Sequence, residues 1–161
     1  MDVMYTYIHV LKDTLQKKRD VMRQIYEATV QQKQLLQSGK FKEDEFQKTL
    51  DLKEQLLSEL EQLDVGFEKI YERVAVAIKY NKELYKEEIQ KAQQHIQEIM
   101  DLSVSIHAME EQNKLRFSVC MTERRKHLGT IRTNSRMVNN YYKSMPNVHK
   151  AGNTYFLDEK K

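Results

Sequence analysis

The chain has 161 residues, of which 40% are hydrophobic and 32% charged, with a formal net charge of +3, one proline, four glycines, one cysteine and no tryptophan. A single cysteine excludes an intramolecular disulfide, near-neutrality gives no charge-based case for nucleic acid, and no apolar stretch approaches the roughly 18 residues a membrane span needs. The length suits one domain, and the composition suits a narrow bundle with much surface per core residue.

The start, MDVMYTYIHVLKD, carries an acid at position 2 and lacks the basic, apolar, small-residue order of a signal peptide, so the expected compartment is the cytoplasm. In the same segment Met4, Ile8, Leu11, Leu15, Met22, Ile25, Thr29 and Leu36 recur at steps of three and four, with Lys18 and Gln32 as polar interruptions. Sustained over more than four heptads, that rhythm predicts a coiled-coil-like helix. Ser38-Gly39 should end it, because glycine supplies the left-handed residue that closes many helices.

Glu43, Asp44 and Glu45 then suit the positive end of a second helix dipole. Phe46, Leu50, Leu57, Leu60, Phe67, Tyr71, Val74 and Ile78 form its seam, widened by Leu52, Leu56, Leu63 and Ile70, which makes this the strongest apolar face in the chain. Gly66 lies inside it at a cost of about 1 kcal/mol relative to alanine, so a continuous helix with a bend is expected.

A third segment carries Tyr85, Ile89, Ala92, Ile96, Ile99, Ile106, Phe117, Leu128, Ile131 and Val138. The predicted helices cover about 3–37, 43–79 and 82–145, and the last, if unbroken, would reach roughly 95 Å, nearly twice either companion. Its far half must therefore fold back, pair with another chain or await a partner. The seam also thins there, with Asn113, Arg124 and Ser135 at inward-tending places. The expected fold is all-α: an elongated antiparallel helical bundle or coiled coil of three long helices over residues 1–145, the last about twice as long or bent back to give a fourth. Beyond Pro146, residues 146–161 lose period and read as a flexible tail in which Tyr155, Phe156 and Leu157 form an apolar cluster.

Charge is unevenly spread. Residues 41–72 hold ten acids against four lysines, a net of −6, and residues 121–161 hold nine Lys or Arg against three acids, a net of +6. Complementary neighbours within the bundle account for this most simply, and a basic face kept for an acidic partner is the alternative. Arg124, Arg125, Lys126, Arg132 and Arg136 lack interleaved aromatics or a docking motif, so no nucleic-acid partner is expected.

Nothing in the chain announces chemistry. None of His9, His95, His107, His127 and His149 has Glu three positions before it, as the metal sites of helical bundles require, and no metal or cofactor is expected. Cys120 sits mid-helix between Val119 and Met121 and reads as a buried thiol. Phosphate loops, serine elbows and loop-borne carboxylate pairs are missing, which argues against an enzyme.

The stretch LDLKEQLLSELEQLDVGFEKIYERV, Leu50 to Val74, resembles the second-helix pattern of flagellar type III export chaperones of the FlgN and FliT kind, FlgN-like and Firmicutes-like forms in particular. A lysine and an acid precede a leucine-rich run ending in Leu-Asp-x-Gly-Phe, matched by Lys53, Glu54, Leu56, Leu57, Leu60, Leu63, Asp64, Gly66 and Phe67. LKDTLQKKRDVMRQIYEATVQQKQLL before it, and NNYYKSM with YFLDEKK after it, extend the resemblance over nearly the whole chain.

The resemblance implies a small cytoplasmic chaperone that holds late flagellar substrates, either the hook–filament junction (hook-associated) proteins or the filament cap, prevents their premature assembly and delivers them to an export gate component. It places the client-binding face on Leu128, Ile131, Met137, Val138, Tyr141 and Tyr142, with Arg124 and Arg125 steering acidic clients and the tyrosine pair as candidates for gate docking. Two other readings stand beside it: a homodimeric structural coiled coil without a client, and a nucleic-acid accessory protein that uses the basic stretch.

Overall fold

The computed structural model describes residues 3–128 and 139–142 of the chain. Three long helices account for nearly all of them: α1 (Val3–Gln37), α2 (Glu43–Tyr80) and α3 (Lys86–Leu128). Among the described residues there is no strand.

Each helix buries one seam. On α1 it runs Ile8, Leu11, Leu15, Lys18, Met22, Ile25, Thr29, Gln32 and Leu36, steps of three and four without a slip. On α2 the same rhythm takes Phe46, Leu50, Lys53, Leu57, Leu60, Phe67, Val74 and Ile78, and on α3 Ala92, Ile96, Ile99, Ser103, Ile106, Glu110, Asn113 and Phe117. A shared 3.5-residue repeat keeps all three seams facing one axis, as in a coiled coil. The fold is thus an all-α bundle of three long packed helices.

Cross-helix bonds give the directions. Tyr7 accepts from Arg73 at 3.0 Å, Lys18 donates to Asp64 at 2.5 Å and Gln32 to Thr49 at 3.1 Å, so α1 and α2 are antiparallel. Arg19 reaches Glu98 at 3.3 Å and Asn113 reaches the Thr29 carbonyl at 3.2 Å, so α1 and α3 run parallel. α1 packs closely against both companions, while α2 and α3 meet through long side chains such as Lys53 and Glu110.

The connections follow from their residues. Gly39 takes φ +78, the left-handed conformation that ends α1, and the Ser38 hydroxyl lies 2.9 Å from the carbonyls of Leu35 and Lys40. Asn81 closes α2 by donating from its backbone to the Ala77 carbonyl at 3.0 Å and from its side chain at 3.2 Å. Residues 81–85 form the turn, so α3 begins at Lys86 rather than near 82, with Tyr85 buried ahead of it. Gly66 does not interrupt α2, which passes through it.

Over the described residues the disparity in reach is modest, and the far end follows the folded-back alternative. α3 has 43 described residues against 35 and 38 in its companions. With Asn113 beside Thr29 and Cys120 beside Leu36, the end of α1 is level with about residue 121, leaving α3 some two turns of overhang at 3.6 residues per turn. That overhang is held in part, since Arg124 donates to Glu43 at the start of α2 at 2.7 Å. Nor is 82–145 one rod. A straight helix would set residues 117 and 141 about 36 Å apart, yet the rings of Phe117 and Tyr141 lie 4.9 Å apart, so the chain has turned back by the helical residues 139–142. The expected tail, 146–161, lies outside the described residues.

Two substitutions test the local accounting. A Cβ on Gly66 would meet nothing within 4 Å, so Gly66→Ala should add about 1 kcal/mol and raise the melting temperature by roughly 2–4 °C in calorimetry. Gly39→Ala, placed at φ +78, should lower stability by about 1 kcal/mol in the same assay.

Candidate functional site

The end of the bundle where α1 stops and α2 starts is built from aromatic rings. Phe46 of α2 and Phe117 of α3 stack at 5.3 Å, and Tyr141 stacks on Phe117 at 4.9 Å and leans on Phe46 at 5.5 Å. Phe41, in the α1–α2 connection, closes one side at 5.3 Å from Phe46, and Tyr142 meets Phe117 edge-on at 6.4 Å. Such offset and edge contacts favour aromatic pairs by about 0.5–1.5 kcal/mol beyond the area they bury. Leu36, Leu50 and Met121 complete this small core.

Cations sit on its rim. Lys114 lies 5.5 Å over the Tyr142 ring and Arg124 lies 5.9 Å over Phe41 while paired with Glu43. Burial pushes the Tyr141 hydroxyl well above the usual tyrosine range, with the Glu110 carboxylate and Tyr142 adding to it.

Beside this core an open groove of about 770 Å³ runs between the α1 end and the outer flank of α3. Leu36 and Phe41 line it from one side, Leu115 and Val119 from the other. Leu115 is 71% exposed and Val119 56% exposed, and what sets them apart from the other exposed apolar side chains, such as Val76 and Leu84, is that they line this groove. Arg116 stands at the groove with the Gln37 amide oxygen, so oriented, accepting from its guanidinium at 3.0 and 3.1 Å. Among the described residues it has no carboxylate partner.

Cys120, expected from the sequence to be a buried thiol, is only half-buried at this groove, and its thiol lies 3.7 Å from the Leu36 carbonyl. Burial, aided by Glu123, raises its pKa, which keeps it a thiol at neutral pH and a poor nucleophile.

The residues anticipated as a client face divide sharply. Tyr141 is fully buried in the aromatic core and Tyr142 half-buried at its edge, so neither lies on an open face. Leu128 is the last described residue of α3, and its side chain, like Ile131, Met137 and Val138, lies outside what is described. Arg124 is engaged with Glu43 and Phe41, whereas Arg125 is exposed.

Sequence reading missed Leu115 and Val119. Both fall beside the seam positions Asn113 and Phe117, and together with Val104 and Ala108, also exposed, they fall within about 60° of one another on a 3.6-residue helix. That second, off-seam apolar stripe was the available signal. Among the described residues no group of three or more His, Cys, Asp or Glu is placed to hold a metal ion, and no helix is long and apolar enough to cross a membrane. Compared with known proteins, the chain matches no family model, no curated protein and no solved structure.

Tyr141 gives a pH test with a definite sign. Its folded pKa lies above the unfolded value near 10, so the unfolded chain loses this proton first. The stability it contributes is present below about pH 10 and is lost above it, by up to about 1.4 kcal/mol per pH unit. Between pH 9 and 11, urea denaturation should show the native chain losing more stability than Tyr141→Phe.

Proposed function

We propose that the chain is a helix-holding protein rather than an enzyme, and that its task is that of a cytoplasmic export chaperone for late flagellar substrates, FlgN-like in character. The observation that carries the reading is the exposed pair Leu115 and Val119, facing Leu36 and Phe41 across an open groove. A groove of this kind suits an amphipathic helix, whose own apolar stripe is covered when it lies there. An assembly-competent terminal helix held in this way cannot pair prematurely with its own kind, and no covalent step is needed.

Charge narrows the occupant. Arg116 carries its charge against a neutral amide, and Arg125 is exposed. The helix that fits therefore brings carboxylates beside its apolar stripe. In the resemblance to FlgN and FliT chaperones the clients are hook–filament junction proteins or the filament cap. The exposed stripe from Val104 to Val119 also suits a second copy of this chain, which is the rival reading.

Leu115→Glu/Val119→Glu separates these possibilities, because both positions are exposed and should tolerate charge without unfolding. The probes are the terminal helical regions of the two junction proteins and of the cap protein. Capture by the intact chain should fall at least tenfold in the variant, with an unchanged melting temperature, and a bound helix should slow alkylation of Cys120. Capture that survives the substitutions places the site elsewhere. If none of the three probes binds, the flagellar assignment fails, and a dimer that the substitutions dissociate would favour the second copy.

A further inference from the structure

The buried seams carry an unusual interruption. Along α1 the residues between Ile25 and Leu36 include Thr29 and Gln32, along α2 Thr49 and Lys53 flank Leu50, and along α3 Glu110 and Asn113 separate Ile106 from Phe117. All six are at most 4% exposed. Because the helices share one register, these positions meet at one level and form a polar slab across the bundle.

Its members are bonded mainly to one another. Gln32 donates to the Thr49 hydroxyl at 3.1 Å and accepts from Lys53 at 3.1 Å, Lys53 pairs with Glu110, and Asn113 donates to the Thr29 carbonyl at 3.2 Å. The satisfaction is incomplete, since Glu110 Oε2 and Asn113 Oδ1 have no hydrogen-bond partner among the described residues. Burial pushes the Lys53 amine down from its ordinary pKa, against the pull of Glu110.

Among the described residues the two clusters of buried hydrophobic side chains on either side are very unequal, and the other buried polar seam positions, Lys18 and Ser103, lie singly within the span of the larger one. The larger cluster, from Ile8 to Ile25 on α1 with Leu56–Ile78 and Tyr85–Ile106, has 17 buried hydrophobic residues. The smaller, Leu36, Phe46, Leu50, Phe117, Met121 and Tyr141, has six. An apolar layer would bind the two clusters into one cooperative body through continuous dispersion contact. A buried ion pair recovers roughly what its desolvation costs, so this slab adds little net coupling, and the smaller cluster depends mostly on its own packing.

We infer that the slab built on Lys53, Glu110, Gln32 and Asn113 divides the bundle into two cooperative units, and that the aromatic end opens as a unit while the long end stays folded. Opening of that end separates the α1–α2 connection from α3, and with it the two walls of the groove. The consequence for partner entry rests on the function proposed above; the division itself does not.

Native-state hydrogen exchange on the full chain, without any partner and at rising sub-denaturing urea, tests the division directly. Amides of about 33–50 and 113–121 should exchange through a shared opening at least tenfold more populated than the one exposing 11–25, 56–78 and 92–106, with a weaker urea dependence. Replacing the slab by apolar groups, in Gln32→Leu/Lys53→Met/Glu110→Leu, should raise protection of the end at least tenfold and bring it towards that of the long unit. One common opening for both regions in the native chain overturns the inference, whatever the variant does. Distinct openings that the triple variant leaves unaltered would overturn the role given to the slab.

Discussion

The structure rests on three seams kept in one register. Steps of three and four persist from Ile8 to Leu36, from Phe46 to Ile78 and from Ala92 to Phe117, and a single slip in any helix would turn its buried stripe toward solvent. Apolar burial supplies the drive, yet by itself it tolerates a shift by a whole heptad, which brings the same stripe back to the axis. What discriminates among such registers is polar: Lys53 finds Gln32 and Glu110 at one level only, and Asn113 finds the Thr29 carbonyl only there. A slipped arrangement would leave a lysine and a glutamate buried without each other, at a cost of about 3–5 kcal/mol.

That register also determines what the end of the molecule looks like. With Cys120 beside Leu36, α3 passes the end of α1, and its flank, carrying Leu115 and Val119, faces Phe41 in the α1–α2 connection. Inside the same end, Phe46, Phe117 and Tyr141 form a compact stack. The groove therefore lies on the smaller of two cores, beyond the polar slab, where local opening is least costly. A surface that must accommodate another helix benefits from this placement, because its walls adjust without disturbing the long end.

Much of this was legible in the residues. Heptad spacing gave three helices and most of the core, and Gly39 marked the end of α1 through its left-handed conformation. Lys18 and Gln32 already stood out as polar positions on an apolar seam, but their partners Asp64, Thr49 and Lys53 are remote in sequence, and only the pairing of helices reveals them. Whether the third segment runs on as one rod or bends back stayed open for a similar reason. Periodicity continues through residues 129–138 without a proline, whereas the contact between Tyr141 and Phe117 is a tertiary fact with no local signal. Leu115 and Val119 escaped notice because attention to the seam treats off-seam apolar residues as incidental.

A double-mutant cycle between Lys53→Met and Glu110→Leu, measured by urea denaturation, addresses the central claim most directly. If the two groups meet in a buried slab that sets the register, each single change strands a buried charge or its partner and costs about 3–5 kcal/mol. The double change should then be close to the native chain in stability, a coupling of at least about 2 kcal/mol. Costs that simply add would mean that α2 and α3 do not meet at this level, and the register, the divided core and the placement of the groove would fall together.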